Sequence, residues 1–313
     1  MPVLVIVAPG QGSQTPGMLS PWLEISAFKS VIETASSACG IDLIKHGTES
    51  DADTIRDTAI AQPLIVAASL GSLAAISDIT GLPISKADAV AGHSVGEISA
   101  AIATGVLSLE DGMKLVSVRA SEMAKAAALT PTGMAAVLGG NREDVITALE
   151  AIDLIAANEN GANQIVAAGS VENIDKLVAT PPPGSRVRPL QVAGAFHTHF
   201  MSPAQNAVAE MVSKISANSP NVQLVSNKGG DVVVDGSEFL KRIVGQVASP
   251  VRWDLCMETF SSMGITGMIE LFPGGTLTGI AKRALAGVEL LPISTIDEID
   301  KVSGFVQTHL GAN

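Results

Sequence analysis

The segment Ala87-Asp88-Ala89-Val90-Ala91-Gly92-His93-Ser94-Val95-Gly96-Glu97 decides how this chain is read. Residues 87–91 form a short apolar run of the kind a buried strand needs, and they lead straight into Gly92-His93-Ser94-Val95-Gly96. Beyond the serine, Val95, Ile98, Ile102 and Gly105 recur near helical spacing, so strand, sharp turn and helix follow one another. A serine on such a turn has its hydroxyl pushed out at the C-terminal end of a strand. The two glycines let flanking chains pass close by, and the helix N-terminus faces the same spot. Ser94 is therefore the candidate nucleophile. The competing reading is a strand-to-helix turn with a capping serine. The pentapeptide alone does not separate the two, because the chain holds 30 glycines.

The 313 residues suffice for one large core or two unequal domains. Hydrophobic residues make up 47% and charged residues 16%, which excludes a disordered chain. There is no tyrosine, so Ala, Val, Ile and Leu must fill the core. No apolar run reaches membrane length on this reading. The opening Met-Pro-Val-Leu-Val-Ile-Val-Ala lacks a basic flank and runs into Pro9-Gly10, so a first buried strand is expected there and not a signal peptide. Cys39 and Cys256 lie in neither a C-x-x-C nor a Cys/His cluster, so no metal site is expected. Both are expected as packed thiols in a reducing cytoplasm. A net charge of −12, with no basic stripe interleaved with aromatics, argues against a nucleic-acid partner.

The pattern along the chain alternates strand and helix, as in a parallel α/β sheet. Residues 3–8 read as a strand covered on both faces. Residues 63–76 read as a buried helix with Pro63 in its first turn. Ser108-x-x-Asp111 reads as a capping box for a helix to about residue 128. The pattern changes near Thr130-Pro131-Thr132-Gly133. Strands at 134–138, 154–157 and 164–168 and near 187–192, with helices at 142–151 and 171–179, give the order βαββαβ, a ferredoxin-like arrangement. The expected architecture is thus a large α/β-hydrolase-like domain (1–128 and 193–313) with an inserted small domain (129–192). Later helices are expected at 203–217 and 237–247.

A serine needs a base to take its proton. Of five histidines, His46 lies in a polar segment, His93 should point away from its neighbour Ser94, and His309 is almost the last residue. His197 and His199, in Phe196-His197-Thr198-His199-Phe200, are the pair from which one can reach Ser94. Gly112, Leu115, Val116, Arg119, Met123 and Ala126 share one helical stripe, apolar or small except for the arginine. A guanidinium on such a face must find an anion: either a neighbouring carboxylate such as Glu122 or a substrate carboxylate. Pro9-Gly10-Gln11-Gly12-Ser13-Gln14 can aim backbone N–H groups at an oxyanion. Its spacing does not fit a nucleotide loop.

Together these pieces resemble the malonyl-CoA:acyl carrier protein transacylase family. The resemblance rests on residues 9–14, Gly92–Glu97, Val118-Arg119-Ala120, Gly194-Ala195-Phe196-His197, Gln246 with Ser249-Pro250-Val251-Arg252-Trp253, and Glu270-Leu271-Phe272-Pro273-Gly274. It covers essentially the whole chain. It implies Ser94 as nucleophile and His197 as its base, with the backbone carbonyl of Gln246 orienting the imidazole. It further implies Gln11 and Val95 as the oxyanion hole and Arg119 as the grip on a malonyl carboxylate. Gln62, Asn158, Phe196 and Met123 would line the pocket. His199 departs from the family's usual proline or small residue. The resemblance implies malonyl-CoA and acyl carrier protein as partners and no bound cofactor, since the substrates carry CoA and phosphopantetheine. Phe196 beside the histidine would crowd an α-methyl group. An acidic carrier would need local basic surface, with Arg186, Arg188, Lys228, Lys241 and Lys282 as candidates. A serine esterase or thioesterase shares the turn. It would call for an acid between Ser and His, such as Asp153 or Asp175. A non-catalytic binding domain that retained the fold is the other alternative.

Overall fold

Residues Leu4–Ala8 (β1) are buried at every position because both faces of the strand are covered. The computed structural model describes residues 2–81, 83–192 and 194–310. From β1 the chain passes through α1 (Ser26–Cys39), α2 (Leu43–Thr48) and α3 (Thr58–Thr80) to β2 (Ala89–Gly92), α4 (Gly96–Ala103) and α5 (Leu109–Leu129). Its middle forms β3 (Thr132–Gly139), α6 (Arg142–Glu150), β4 (Ile155–Gly161), β5 (Gln164–Ser170), α7 (Val171–Ala179) and β6 (Ser185–Pro189). Then come α8 (Ser202–Val212), β7 (Gln223–Val225), β8 (Val232–Val233), α9 (Gly236–Gln246), β9 (Val251–Arg252) and α10 (Trp253–Ser262). β10 (Gly267–Glu270), α11 (Thr276–Ala284), β11 (Glu289–Pro292) and α12 (Ile299–His309) complete it.

Among the described residues the strands form two sheets in a mixed α/β fold. The larger has the order β11-β10-β1-β2-β7-β8, parallel except where β8 pairs antiparallel with β7. Its alternating side chains feed two cores. Leu4, Ile6 and Val90 face one way, with Leu64 of α3 and Val116 of α5, while Val5, Val7 and Ala91 face the other, with Phe260 of α10 and Leu277 of α11. The smaller sheet has the order β6-β3-β5-β4-β9, with β9 parallel to β4 and the other pairs antiparallel. One face, with Ala135, Val137 and Ile165, packs on Leu149 of α6 and Leu177 of α7. The other, with Met134 and Val166, joins the main core.

Several boundaries differ from the sequence reading, each for a local reason. α3 starts at Thr58 and not at Pro63, because Asp57 caps it through a bond from the N–H of Ala59 (2.8 Å). Pro63 therefore lies inside the helix. At 23 residues α3 is also long and apolar enough to cross a membrane, contrary to the expectation that no such stretch exists. Its apolar surface is spent on the core, with 78% of its 18-residue apolar window buried. α8 stops at Val212, short of residue 217, and the strand expected near 187–192 spans Ser185–Pro189. β9 comes from outside 129–192 and extends the small sheet, and two residues leave no periodic signal in a sequence. The point where the larger unit was expected to resume, residue 193, lies outside the described residues.

At the end of β2 the backbone turns through a gap that admits no side chain. A Cβ on Gly92 would fall onto the backbone carbonyl of Gly96, and one on Gly96 onto the carbonyl of Ala8. Gly92→Ala should therefore cost about 3 kcal/mol or more of stability, read as a lowered urea midpoint. An unchanged midpoint would show that the turn relaxes freely.

Candidate active site

Ser94 follows β2 in a left-handed conformation (φ 54°), the strained geometry that lifts its hydroxyl above the sheet. Asn227, just beyond β7, staples both sides of this turn. Its Oδ1 accepts from the N–H of Ser94 (2.8 Å), and its Nδ2 donates to the carbonyl of Gly92 (2.8 Å). His197 is also left-handed (φ 61°) and buried. Its Nε2 lies 2.6 Å from Ser94 Oγ, and its Nδ1 lies 2.8 Å from the carbonyl oxygen of Gln246. That carbonyl is at the C-terminal end of α9, where it also accepts from the N–H of Ser249 (3.3 Å). A carbonyl can only accept, so Nδ1 carries the hydrogen and Nε2 offers its lone pair to the serine hydroxyl. Burial, reinforced by the charge of Arg119, pushes the imidazole down to about 3, so it is neutral at neutral pH.

Arg119, on α5, is fully buried. Nη1 donates to Gln62 Oε1 (2.5 Å), and Nη2 donates to Gln246 Oε1 (3.0 Å) and Ser94 Oγ (3.4 Å). Nε has no hydrogen-bond partner among the described residues. Glu122, a candidate partner from the sequence, pairs with Lys125 instead. Burial lowers the guanidinium to about 10 against the opposing pull of Glu97, so it stays charged. Glu97 is buried beneath the turn, and burial raises its carboxyl to about 7.

A cavity of about 190 Å³ opens over Ser94 and His197. Gln11, Val95, Gln62, Asn158, Phe196 and Met123 line it. Arg119 does not: its guanidinium sits behind Gln62 and reaches the site through its contact with Ser94 Oγ. The N–H groups of Gln11 and Val95 have no acceptor among the described residues, so both are available to an oxyanion. Ser94, His197, Gln11, Val95, Gln62, Asn158, Phe196 and Met123 thus line one cavity, and Arg119 and Gln246 reach it through hydrogen bonds to Ser94 and His197. His199 is exposed and stacks on Phe200 (4.3 Å between ring centres), which leaves His197 as the histidine that reaches Ser94. His93 does point away from the hydroxyl, toward Asn160 Oδ1 (2.9 Å), yet it lines the same cavity. His309 is buried against Thr266 and Glu289. Neither Asp153 nor Asp175 holds the imidazole, since Nδ1 is taken by a carbonyl.

Sequence reasoning missed Asn227, Asn160 and the role open to Glu97. Glu97 stood in the quoted motif and was detectable as a carboxylate in a first helical turn facing the core. Asn227 and Asn160 carried no pattern at all.

A model of the acyl transferase domain matches residues 5–296. A malonyl CoA-acyl carrier protein transacylase of Mycobacterium tuberculosis is 44% identical over 304 residues, covering 96% of this chain and 99% of that protein. The Escherichia coli (strain K12) protein of the same name is 31% identical over 309 residues, with 95% and 97% covered. The crystal structure of MCAT from Mycobacterium tuberculosis superposes with a TM-score of 0.92 at 44% identity, covering 96% of this chain and 99% of that one. A malonyl-transacylase in complex with a type II PKS acyl-carrier protein gives 0.90 at 25% identity, with 96% and 99% covered.

The depressed imidazole sets a sign for pH dependence. A base with its pKa near 3 stays unprotonated as pH falls through the ordinary value of 6.5. Labelling of Ser94 by a neutral serine-directed reagent should therefore not drop through that value while the fold persists. Arg119→Met should move any acid-side drop to higher pH by removing a positive neighbour. A wild-type drop centred on the ordinary imidazole value would contradict the assignment.

Proposed function

The chain belongs to the acyl transferase family, and from that premise we propose that it moves the malonyl group of malonyl-CoA to the phosphopantetheine thiol of acyl carrier protein. Ser94 Oγ attacks the thioester carbonyl while its proton passes to His197 Nε2. The N–H groups of Gln11 and Val95 receive the oxyanion, each worth about 3–4 kcal/mol to the transition state. The intermediate collapses to a malonyl-serine ester, and the CoA thiolate leaves with the proton held by His197. In the second half His197 takes the thiol proton of the phosphopantetheine arm. The thiolate attacks the ester, and the Ser94 alkoxide that leaves recovers the proton.

One observation carries this reading. A single oxygen, Ser94 Oγ, lies 2.6 Å from a neutral imidazole nitrogen and 3.4 Å from a guanidinium whose hydrogen-bond partners include no carboxylate. Such a site favours an acyl group with a negative far end. An acetyl group would leave the charge without an anion, at a cost of about 3–5 kcal/mol in a dry site. Gln62 both lines the cavity and accepts from Arg119, so the malonyl carboxylate would approach Arg119 beside the Gln62 amide. Phe196 walls the cavity on the side of His197, where it would crowd an α-methyl group.

Finer features belong to the same proposal. The chain divides into 1–128 with 193–313, read as α/β-hydrolase-like, and 129–192, read as ferredoxin-like. Support comes from the βαββαβ order and the β6-β3-β5-β4 arrangement. The carrier protein would meet exposed cations, among them Arg186 and Arg188 on the edge strand β6. The setting is cytoplasmic, and CoA and phosphopantetheine enter only as parts of the substrates.

Mass spectrometry after mixing with malonyl-CoA should show the malonyl increment on the peptide containing Ser94, and Ser94→Ala should abolish it. Transfer should depend on acyl carrier protein. Turnover of malonyl-CoA at the same rate without the carrier would point to the thioesterase alternative. Arg119→Ala should reduce malonyl transfer far more than acetyl transfer, and an equal loss for both donors would refute the carboxylate grip.

A further inference from the structure

We propose that Glu97 is a positioning residue that aims the side-chain amide of Gln246, and through it the guanidinium of Arg119, at the acyl group on Ser94. The inference rests on the reading of Ser94 and Arg119 given above and extends it to a buried acid that the transfer steps leave unused.

Glu97 lies in the first turn of α4, three residues beyond the nucleophile, and is 1% exposed. Both carboxylate oxygens are engaged. Oε1 accepts from the N–H of Asn227 (2.7 Å), and Oε2 accepts from Gln246 Nε2. None of its hydrogen bonds goes to Ser94 Oγ or to the His197 ring, so it is not the base. Its influence runs through Gln246. A carboxamide has one donating and one accepting end, and nothing in its shape tells them apart. Above about pH 7, where Glu97 is ionised, its carboxylate can only accept, so it draws the NH₂ end to itself. Nε2 also donates to the carbonyl of Ser94 (3.2 Å) and to Asn227 Oδ1 (3.3 Å), both acceptors. The amide oxygen is thereby left facing Arg119 Nη2 (3.0 Å). The reverse orientation would set an NH₂ group against a guanidinium N–H, donor against donor. Nη2 is the same nitrogen that lies 3.4 Å from Ser94 Oγ. The direction of the Glu97–Gln246 bond therefore sets where the charge of Arg119 stands relative to the acyl group. Meanwhile the Gln246 backbone carbonyl independently holds His197. One residue thus serves the base with its main chain and the guanidinium with its side chain, and Glu97 governs only the second task.

The test compares acylation rates of the full-length enzyme with malonyl-CoA, with acetyl-CoA and with a neutral serine-directed reagent. Glu97→Gln can present an NH₂ group to Gln246 and so weaken the directional preference, leaving only the longer bonds to Ser94 and Asn227 to hold Nε2. It should slow malonyl acylation about 10- to 100-fold. Acetyl acylation and reagent labelling should change by no more than roughly threefold. Gln246→Met keeps the backbone carbonyl; whatever it does to acylation as a whole, it should lower the ratio of malonyl to acetyl acylation about as much as Glu97→Gln does. Because Glu97 acts through Gln246, the double variant should be no worse than the more affected single variant. Equal losses with all three probes, or losses that multiply in the double variant, would overturn the proposal and leave Glu97 a structural acid. If Glu97→Gln does not fold, Gln246→Met alone decides: a malonyl-selective loss supports the proposal and an even loss overturns it. A wild type that forms no malonyl ester on Ser94 would remove the functional reading and this one together. A wild type that acylates normally, beside unselective variants, would remove only the role of Glu97.

Discussion

A positive charge closed inside the protein, hydrogen-bonded to amides and a hydroxyl, sets the electrostatics of the whole site. Desolvating a guanidinium costs several kcal/mol unless its hydrogens are bonded, and Gln62, Gln246 and Ser94 accept most of those of Arg119. The charge survives, because burial brings the group down only to about 10. Its neighbours then respond with opposite signs. Burial and the Arg119 charge both disfavour an imidazolium, so His197 falls to about 3. At Glu97 burial is opposed by hydrogen bonds from the Asn227 N–H and the Ser226 side chain and, more weakly, by the same charge. Burial wins in part, and the carboxyl settles near 7. At neutral pH the site therefore holds a cation, a neutral base and a carboxylate near its midpoint. The balance favours an incoming anion.

That arrangement stands on two residues in the left-handed region, Ser94 and His197. Neither is a glycine, and each such residue costs on the order of 1–3 kcal/mol. The strain persists because the surroundings over-determine it. Asn227 holds the turn on both sides of Ser94. The close packing of Gly92 against Gly96, and of Gly96 against Ala8, leaves the turn no room to open. Beneath lies a sheet whose two faces are both buried. The strained pair is thus placed where the fold is least able to yield.

The parts of this structure legible in the sequence were those carried by periodicity or by an improbable residue. Short continuous apolar runs marked the strands, and the glycine-flanked serine marked the turn. An arginine on the otherwise apolar stripe of Gly112, Leu115, Val116, Met123 and Ala126 marked a buried charge before any geometry was known. What stayed hidden depends on contacts across long stretches of chain. Asn227 reaches Ser94 from 133 residues away, and nothing in its own neighbourhood distinguishes it from an ordinary loop asparagine. The choice between His197 and His199 could not be made from spacing, because both lie in one polar loop and only packing exposes the second. The cap on α3 was missed because Pro63 gave a louder signal than Asp57, and the short strand β9 fell below any periodic test. The place of Arg119 behind Gln62, outside the cavity wall, was likewise invisible.

The stretch between Gln246 and Arg252 joins α9 to the smaller sheet. Its first residue ends α9 and supplies both the carbonyl that holds His197 and the amide that meets Arg119. Its last two residues form β9, which pairs with Asn158 and Glu159 of β4. That strand carries Asn158 and Asn160 to the cavity wall, and the same sheet sets Met134 and Val166 against the cavity. The residue that orients the base and a strand that pairs with the wall above it are therefore joined by one short covalent connection. A displacement of the small sheet would pull on the end of α9, and through it on the hydrogen bond that fixes the tautomer of His197. The cavity wall and the histidine beneath it are thus tied through one stretch of chain.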